Sequence, residues 1–99
     1  MSKIPHNWLL RIVPDAKSQF DRLASSTKDS IFHSLQQLLE SETPYALPFV
    51  EKLEARKFDN LRKFRAGNYR VFFFIQQVEQ AEFKGMLVVV SIRHRGKAY

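Results

Sequence analysis

The sequence predicts an α+β domain: a strand and two helices, then a three-stranded antiparallel meander, with the helices packed on one face of a small, mostly antiparallel sheet. Three observations predict it. Apolar residues recur at helical spacing only between Pro14 and Glu42. Three strand-like runs follow one another from Leu61 to Arg95, and Gly67-Asn68, a two-residue hairpin signal, joins the first two. The length of 99 residues leaves room for one core, so residues 1–99 form a single domain.

Trp8 to Val13 is β-branched and apolar, with Trp8, Leu10 and Ile12 on one face, and reads as a short strand ended by Pro14. Pro14 and Asp15 open the first helix, since proline suits the first turn and aspartate the positive end of the dipole. Ala16, Phe20 and Leu23 follow at helical spacing. Ser25-Ser26-Thr27 breaks that helix and caps the next, with Asp29 three residues after Ser26 as a weaker capping box. The second helix carries an apolar stripe of Ile31, Phe32, Leu35, Leu38 and Leu39. It ends near Glu42, because Pro44 disfavours helix at Thr43. Thr43 to Asn60 reads as a long connection, tacked to the core by Tyr45, Leu47, Phe49, Val50 and Leu53, with a turn at Asp59-Asn60. The strand-like runs are Leu61–Ala66, Tyr69–Gln77 and Met86–Arg95, with a polar linker from Val78 to Gly85.

The charge is split unevenly. Residues 61–99 hold eight basic residues against Glu79 and Glu82, so 8 − 2 gives the whole formal net charge of +6, while residues 1–60 hold eight of each sign. A sheet that gathers cations repels itself unless it meets a polyanion, so the split predicts a nucleic-acid partner, with an anionic surface as the second reading. The chain has no cysteine, which removes disulfides and thiolate metal sites and suits the cytoplasm. Met1 to Trp8 has no apolar run of the kind a signal peptide needs, and Val71–Ile75 and Met86–Val90 are too short to span a bilayer. No membrane partner, metal or cofactor is expected.

Strand parity localises the cations. With Gly67-Asn68 as the loop, Ala66 pairs with Tyr69, Arg65 with Arg70, Lys63 with Phe72 and Leu61 with Phe74. Lys63, Arg65 and Arg70 therefore share one face of the sheet. Like charges directly opposite destabilise a strand pair, and a bound phosphate would relieve them. Arg93 and Arg95 point one way with Ser91, and His94 points the other way with Ile92 and Val90. Phe72, Phe73 and Phe74 read as core, though at least one must face the cations.

A metal-free route to RNA cleavage fits this residue set. The 2′-hydroxyl attacks the adjacent phosphate and the 5′-oxygen leaves. Arginines stabilise the developing charge, being permanently ionised and bidentate. A lysine crowded by arginines gives up its proton more readily and can act as base. Histidine or tyrosine can donate a proton. There is no Ser-His-Asp signature, phosphate-binding glycine loop, dinucleotide fingerprint or metal-ligand cluster.

Lys52-Leu53, Leu61 through Phe73 and Val90 through Tyr99 resemble the RelE/ParE superfamily of bacterial and archaeal toxins. The motifs that carry the resemblance are Arg65-x-Gly-x-Tyr-Arg70 and His94-Arg95-x-x-x-Tyr99, and Trp8 to Leu23 matches the superfamily's opening strand and helix. The resemblance implies the same α+β fold and, on the RelE branch, an mRNA endonuclease acting in the ribosomal A site, with mRNA and ribosome as partners and an acidic RelB-like antitoxin as inhibitor. It implies that Arg70 holds the scissile phosphate, that Lys63 is base or charge stabiliser, and that Tyr99 positions or protonates. The arginine of the last strand is Arg95 when aligned from His94-Arg95 and Arg93 when aligned from Tyr99. The catalytic set is thus Lys63, Arg70, Arg95 and Tyr99, with Arg62, Arg65, Arg93, His94 and Lys97 as RNA-binding residues. Leu61 stands where ribosome-dependent members can carry a second lysine, which leaves the base open. The ParE branch, with the same fold, inhibits DNA gyrase and lacks the full nuclease set. A plain nucleic-acid-binding module is a third reading.

Overall fold

The computed structural model describes residues 8–53, 61–79 and 82–94. Strand β1 (Trp8–Ile12) leads into helices α1 (Pro14–Asp21) and α2 (Ser25–Glu40). A 3-10 turn at Pro44–Ala46 and strand β2 (Val50–Lys52) come next. Strands β3 (Leu61–Ala66), β4 (Tyr69–Gln76) and β5 (Gly85–His94) complete the fold. The five strands form one sheet in the order β1-β5-β4-β3-β2. β1 runs parallel to β5, and the other neighbours are antiparallel. The expected α+β fold is found, with one strand more than the sequence suggested.

Alternation along each strand sends one set of side chains to the helices. Trp8, Phe64, Ala66, Val71, Phe73, Leu87, Val89 and Ile92 form the buried core with Ala16 of α1 and Ile31, Leu35 and Leu38 of α2. Burying an aliphatic or aromatic side chain such as Phe73 stabilises the fold by about 1.5–3 kcal/mol, before entropy is counted. Pro14 occupies the first turn of α1 and Asp15 follows it, as expected. Trp8 Nε1 donates to the Ser41 carbonyl at 2.8 Å, which ties the start of β1 to the end of α2. The Trp8 ring lies over Gly85, where an added Cβ would sit 2.8 Å from it.

Several local expectations are corrected. α2 starts at Ser25 behind an Ala24 N-cap, with no side-chain cap bond, so Ser26 lies inside the first turn and the capping box is not made. Phe32 is 55% exposed, because it follows Ile31 by about 100° and leaves the buried stripe. Tyr45 is also exposed; Pro44 is the residue of that turn that is buried. The Gly67-Asn68 hairpin forms with all four expected pairs. Only Gly67 takes positive φ, at +62°, which is the first-position glycine of a type II′ turn. The expected turn at Asp59-Asn60 lies outside the described residues.

The stretch read as one connection contains β2. It pairs Val50 with Phe64, Glu51 with Lys63 and Lys52 with Arg62. Phe49 packs edge-on against Phe64 with ring centroids 6.0 Å apart, which seats the approach to β2.

Candidate nucleic-acid interface

The face of the sheet turned away from the helices carries the cations in registered rows. Arg65 of β3 pairs with Arg70 of β4, and Arg70 pairs with Arg93 of β5. Three guanidinium side chains thus start side by side across three adjacent strands. In a sheet such neighbours have Cβ atoms about 4.5–5.5 Å apart, close enough for all three to reach one phosphate group or two successive ones. Arg70 is half-buried, and its Nε is shielded from solvent. Arg93 Nε donates to Ser91 Oγ at 3.1 Å, which directs that guanidinium along its own strand.

The next row runs Glu51, Lys63, Phe72, Ser91. Lys63 Nζ lies 3.6 Å from Glu51 Oε1, with the lysine side chain 17% exposed and the glutamate 54% exposed. The lysine of the arginine cluster therefore has a carboxylate neighbour. Nothing acidic within the hairpin offsets its charge, as the sequence indicates, but β2 brings Glu51 from outside it. Sequence reasoning missed Glu51, since its place on this face depends on a strand of three residues. The only signal available was Val50-Glu-Lys52, too short to show alternation.

Phe72 and Phe74 also belong to this face, and Phe73 alone of the three faces the helices. Phe72 is buried beside Lys63, whereas Phe74 is half-exposed in the row of Leu61 and Val88.

The predicted residues divide by face. Lys63, Arg65, Arg70 and Arg93 are brought together. Arg62 is not: it has the parity of Phe64, donates from Nε to the Tyr45 carbonyl at 3.3 Å and stacks 5.8 Å from the Tyr45 ring centroid. His94 pairs with Tyr69 on the helix side, with ring centroids 5.0 Å apart at 87°. As predicted it points away from Arg93, so it is not a member of the arginine row. Arg95, Lys97 and Tyr99 lie outside the described residues. Among the described residues, no group of His, Asp and Glu side chains suited to a metal ion is present, and no helix is long and apolar enough to cross a membrane.

Residues 10–99 match the family model of the ParE toxin of the type II toxin–antitoxin system parDE. The chain belongs to that toxin family. Its fold is shared with solved RelE-type toxin structures. The archaeal RelE–RelB complex from Pyrococcus horikoshii OT3 aligns with a TM-score of 0.67 at 19% identity, covering 93% of this chain and 99% of that one. The RelBE2 toxin–antitoxin complex of Mycobacterium tuberculosis aligns with a TM-score of 0.56 at 14% identity, over 90% of this chain and 99% of that one. The intact RelBE complex of E. coli gives 0.50 at 21% identity, over 88% and 95%. No curated protein sequence matches the chain.

Proposed function

We propose that this toxin is a metal-independent endoribonuclease that cuts mRNA, in the ribosomal A site, and so arrests translation. The observation that carries the reading is the arginine row Arg65–Arg70–Arg93 with Lys63 in the adjacent row, on the sheet face the helices leave open. In the proposed reaction the 2′-oxygen bonds to phosphorus and the bond to the 5′-oxygen breaks. The 2′-proton passes to a base, and an acid protonates the leaving oxygen. The products are a 2′,3′-cyclic phosphate and a 5′-hydroxyl. Arg70 holds the scissile phosphate, and Arg95 adds to the charge stabilisation. Lys63, with Glu51 beside it, stabilises charge or takes the proton. Tyr99 positions the RNA or donates the proton. Arg65, Arg93 and Lys97 hold the flanking backbone. Arg62 and His94 can contribute only around the sheet's margins, because their parity places them on the other face.

The toxin is proposed to act in the cytoplasm and to be held inactive by an acidic, RelB-like antitoxin. The three aligned structures are toxin–antitoxin complexes, which supports such a partner.

The second reading is a ParE-like toxin that inhibits DNA gyrase without cutting RNA, and the ParE family match favours it. Both readings use the cationic face, one against RNA and the other against gyrase. Two assays separate them. Primer extension on mRNA from cells expressing the chain should show new 5′ ends within codons. Arg70→Ala should abolish them and relieve growth arrest while circular dichroism stays unchanged. A purified toxin that leaves cell-free translation untouched and blocks gyrase supercoiling would replace the first reading with the second.

A further inference from the structure

Strand β5 changes register in mid-course. Phe73 pairs with Val89, but Phe72 pairs with Ser91, so Val90 is an extra residue without a Cα partner on β4. This is a β-bulge, a feature that re-aims the side chains beyond it. Its effect follows from counting. If the Phe73–Val89 register ran on unbroken, Val71 would oppose Ser91, Arg70 would oppose Ile92, and Arg93 would oppose Tyr69. Ser91 would then enter the core, Ile92 would stand on the cationic face, and Arg93 would lie among the helix-side residues. With the bulge, Ile92 pairs with Val71 and is 5% exposed, and Arg93 joins Arg70.

Two features hold the bulged register. Ile92 is buried in the helix-side core, where Ser91 would be a poor replacement. The backbone also needs an acceptor, because β1 stops at Ile12 and, among the described residues, no strand continues on that side of β5. Val13 N donates to the Val89 carbonyl at 3.0 Å as the last backbone link between them. Beyond it, Ile92 N donates to Gln19 Oε1 of α1 at 2.8 Å. The glutamine takes the place of the missing strand.

We propose that the Val90 bulge, anchored by Ile92 and capped by Gln19, selects Arg93 as the third member of the arginine row, and that Gln19 is a positioning residue for that row. The geometric part stands apart from the function proposed above; its consequence for RNA rests on that reading.

The chain has no cysteine, so introduced pairs report register cleanly. The toxin carrying Arg70→Cys and Arg93→Cys should form an internal disulfide on mild oxidation, since paired Cα atoms lie within the range a disulfide spans. Adding the exchange Ser91→Ile with Ile92→Ser moves the apolar residue one place toward the N-terminus and should abolish the crosslink. A folded parent that fails to crosslink, or an exchanged chain that crosslinks equally well, overturns the proposal. Should the exchanged chain not fold, amide hydrogen exchange provides the second measurement. Gln19→Leu should lower protection of the Ile92 amide by roughly tenfold, the equivalent of one hydrogen bond, and Gln19→Glu should restore it. Unchanged protection removes Gln19 from the device. For RNA, Gln19→Leu and Arg93→Ala should each lower the salt slope of single-stranded RNA binding by up to about 0.7, the share of one phosphate contact. The pair together should lower it no further than Arg93→Ala alone; two full, additive decrements would reject the positioning role. If the crosslinks behave as expected and the unaltered toxin binds no RNA, the register proposal holds and the nuclease reading fails.

Discussion

The two faces of strands β3, β4 and β5 are built by opposite rules. On the helix side, Phe64, Ala66, Val71, Phe73, Val89 and Ile92 close onto α1 and α2, and among the described residues no charged side chain is buried. On the other side, the same strands align Arg65, Arg70 and Arg93 and set Lys63 next to them. One face lowers the free energy of the isolated chain. The arginine row of the other raises it through like-charge proximity, which a bound anion would relieve. Adjacent residues such as Arg65 and Ala66, or Arg70 and Val71, therefore serve opposite ends. Core packing and the proposed RNA contact are thus divided by residue parity.

The largest effect expected is on the helix face. Phe73 is fully buried at the centre of the sheet, and Phe73→Ala should cost about 3–5 kcal/mol, enough to unfold much of so small a domain. Urea denaturation measures it. A loss under 1 kcal/mol would show that the core does not depend on this ring. Gly85→Ala comes next. The added methyl meets the Trp8 ring at 2.8 Å and the Gln76 carbonyl at 3.1 Å, and overpacking of this kind costs about 1–3 kcal/mol. Its melting temperature should fall, and Trp8→Leu in the same chain should recover part of the loss by making room.

The cationic face was the more legible in the sequence, and the reason is the hairpin. A Gly-Asn loop sets the pairing of every residue on both arms, so the shared face of Lys63, Arg65 and Arg70 followed from parity alone. Legibility ended where parity did. Val88-Val89-Val90 is apolar throughout, so no alternation marks the bulge, and the agreement of Arg93 with Arg70 had to come from the structure. β2 was hidden for a different reason. Its three residues gain stability only by pairing with β3, a tertiary effect that no local pattern records. Glu51 was lost with it. The helices were legible in extent but not at their edges, where Ser25 enters the helix in place of capping it.

Glu51→Gln tests whether the salt bridge belongs to the stability of the fold or to the chemistry of the open face. The pair sits at 3.6 Å with the glutamate more than half exposed, so its removal should change stability by about 0–1 kcal/mol at most. On the nuclease reading, RNA cleavage should respond more. If Lys63 acts with Glu51, the pH–rate profile of Glu51→Gln changes shape while the denaturation curve stays in place. A profile of unchanged shape confines Glu51 to a surface ion pair.

The smallest effect has the opposite sign to the first. Arg65 stands directly across from Arg70 on the exposed end of the hairpin, and its side chain buries little surface. Replacing it by glutamine removes one like-charge contact without opening a cavity. Arg65→Gln should therefore raise the stability of the isolated toxin by about a few tenths of a kcal/mol. The gain should be largest at low ionic strength and fade near 1 M salt, where the Debye length is about 3 Å. In the same variant, affinity for single-stranded RNA should fall. A substitution that strengthens the fold and weakens RNA binding in one step is the signature of a face held against its own repulsion for a polyanion. If Arg65→Gln instead destabilises the toxin at every salt concentration, the arginine row contributes to the fold, and the division of labour between the two faces does not hold.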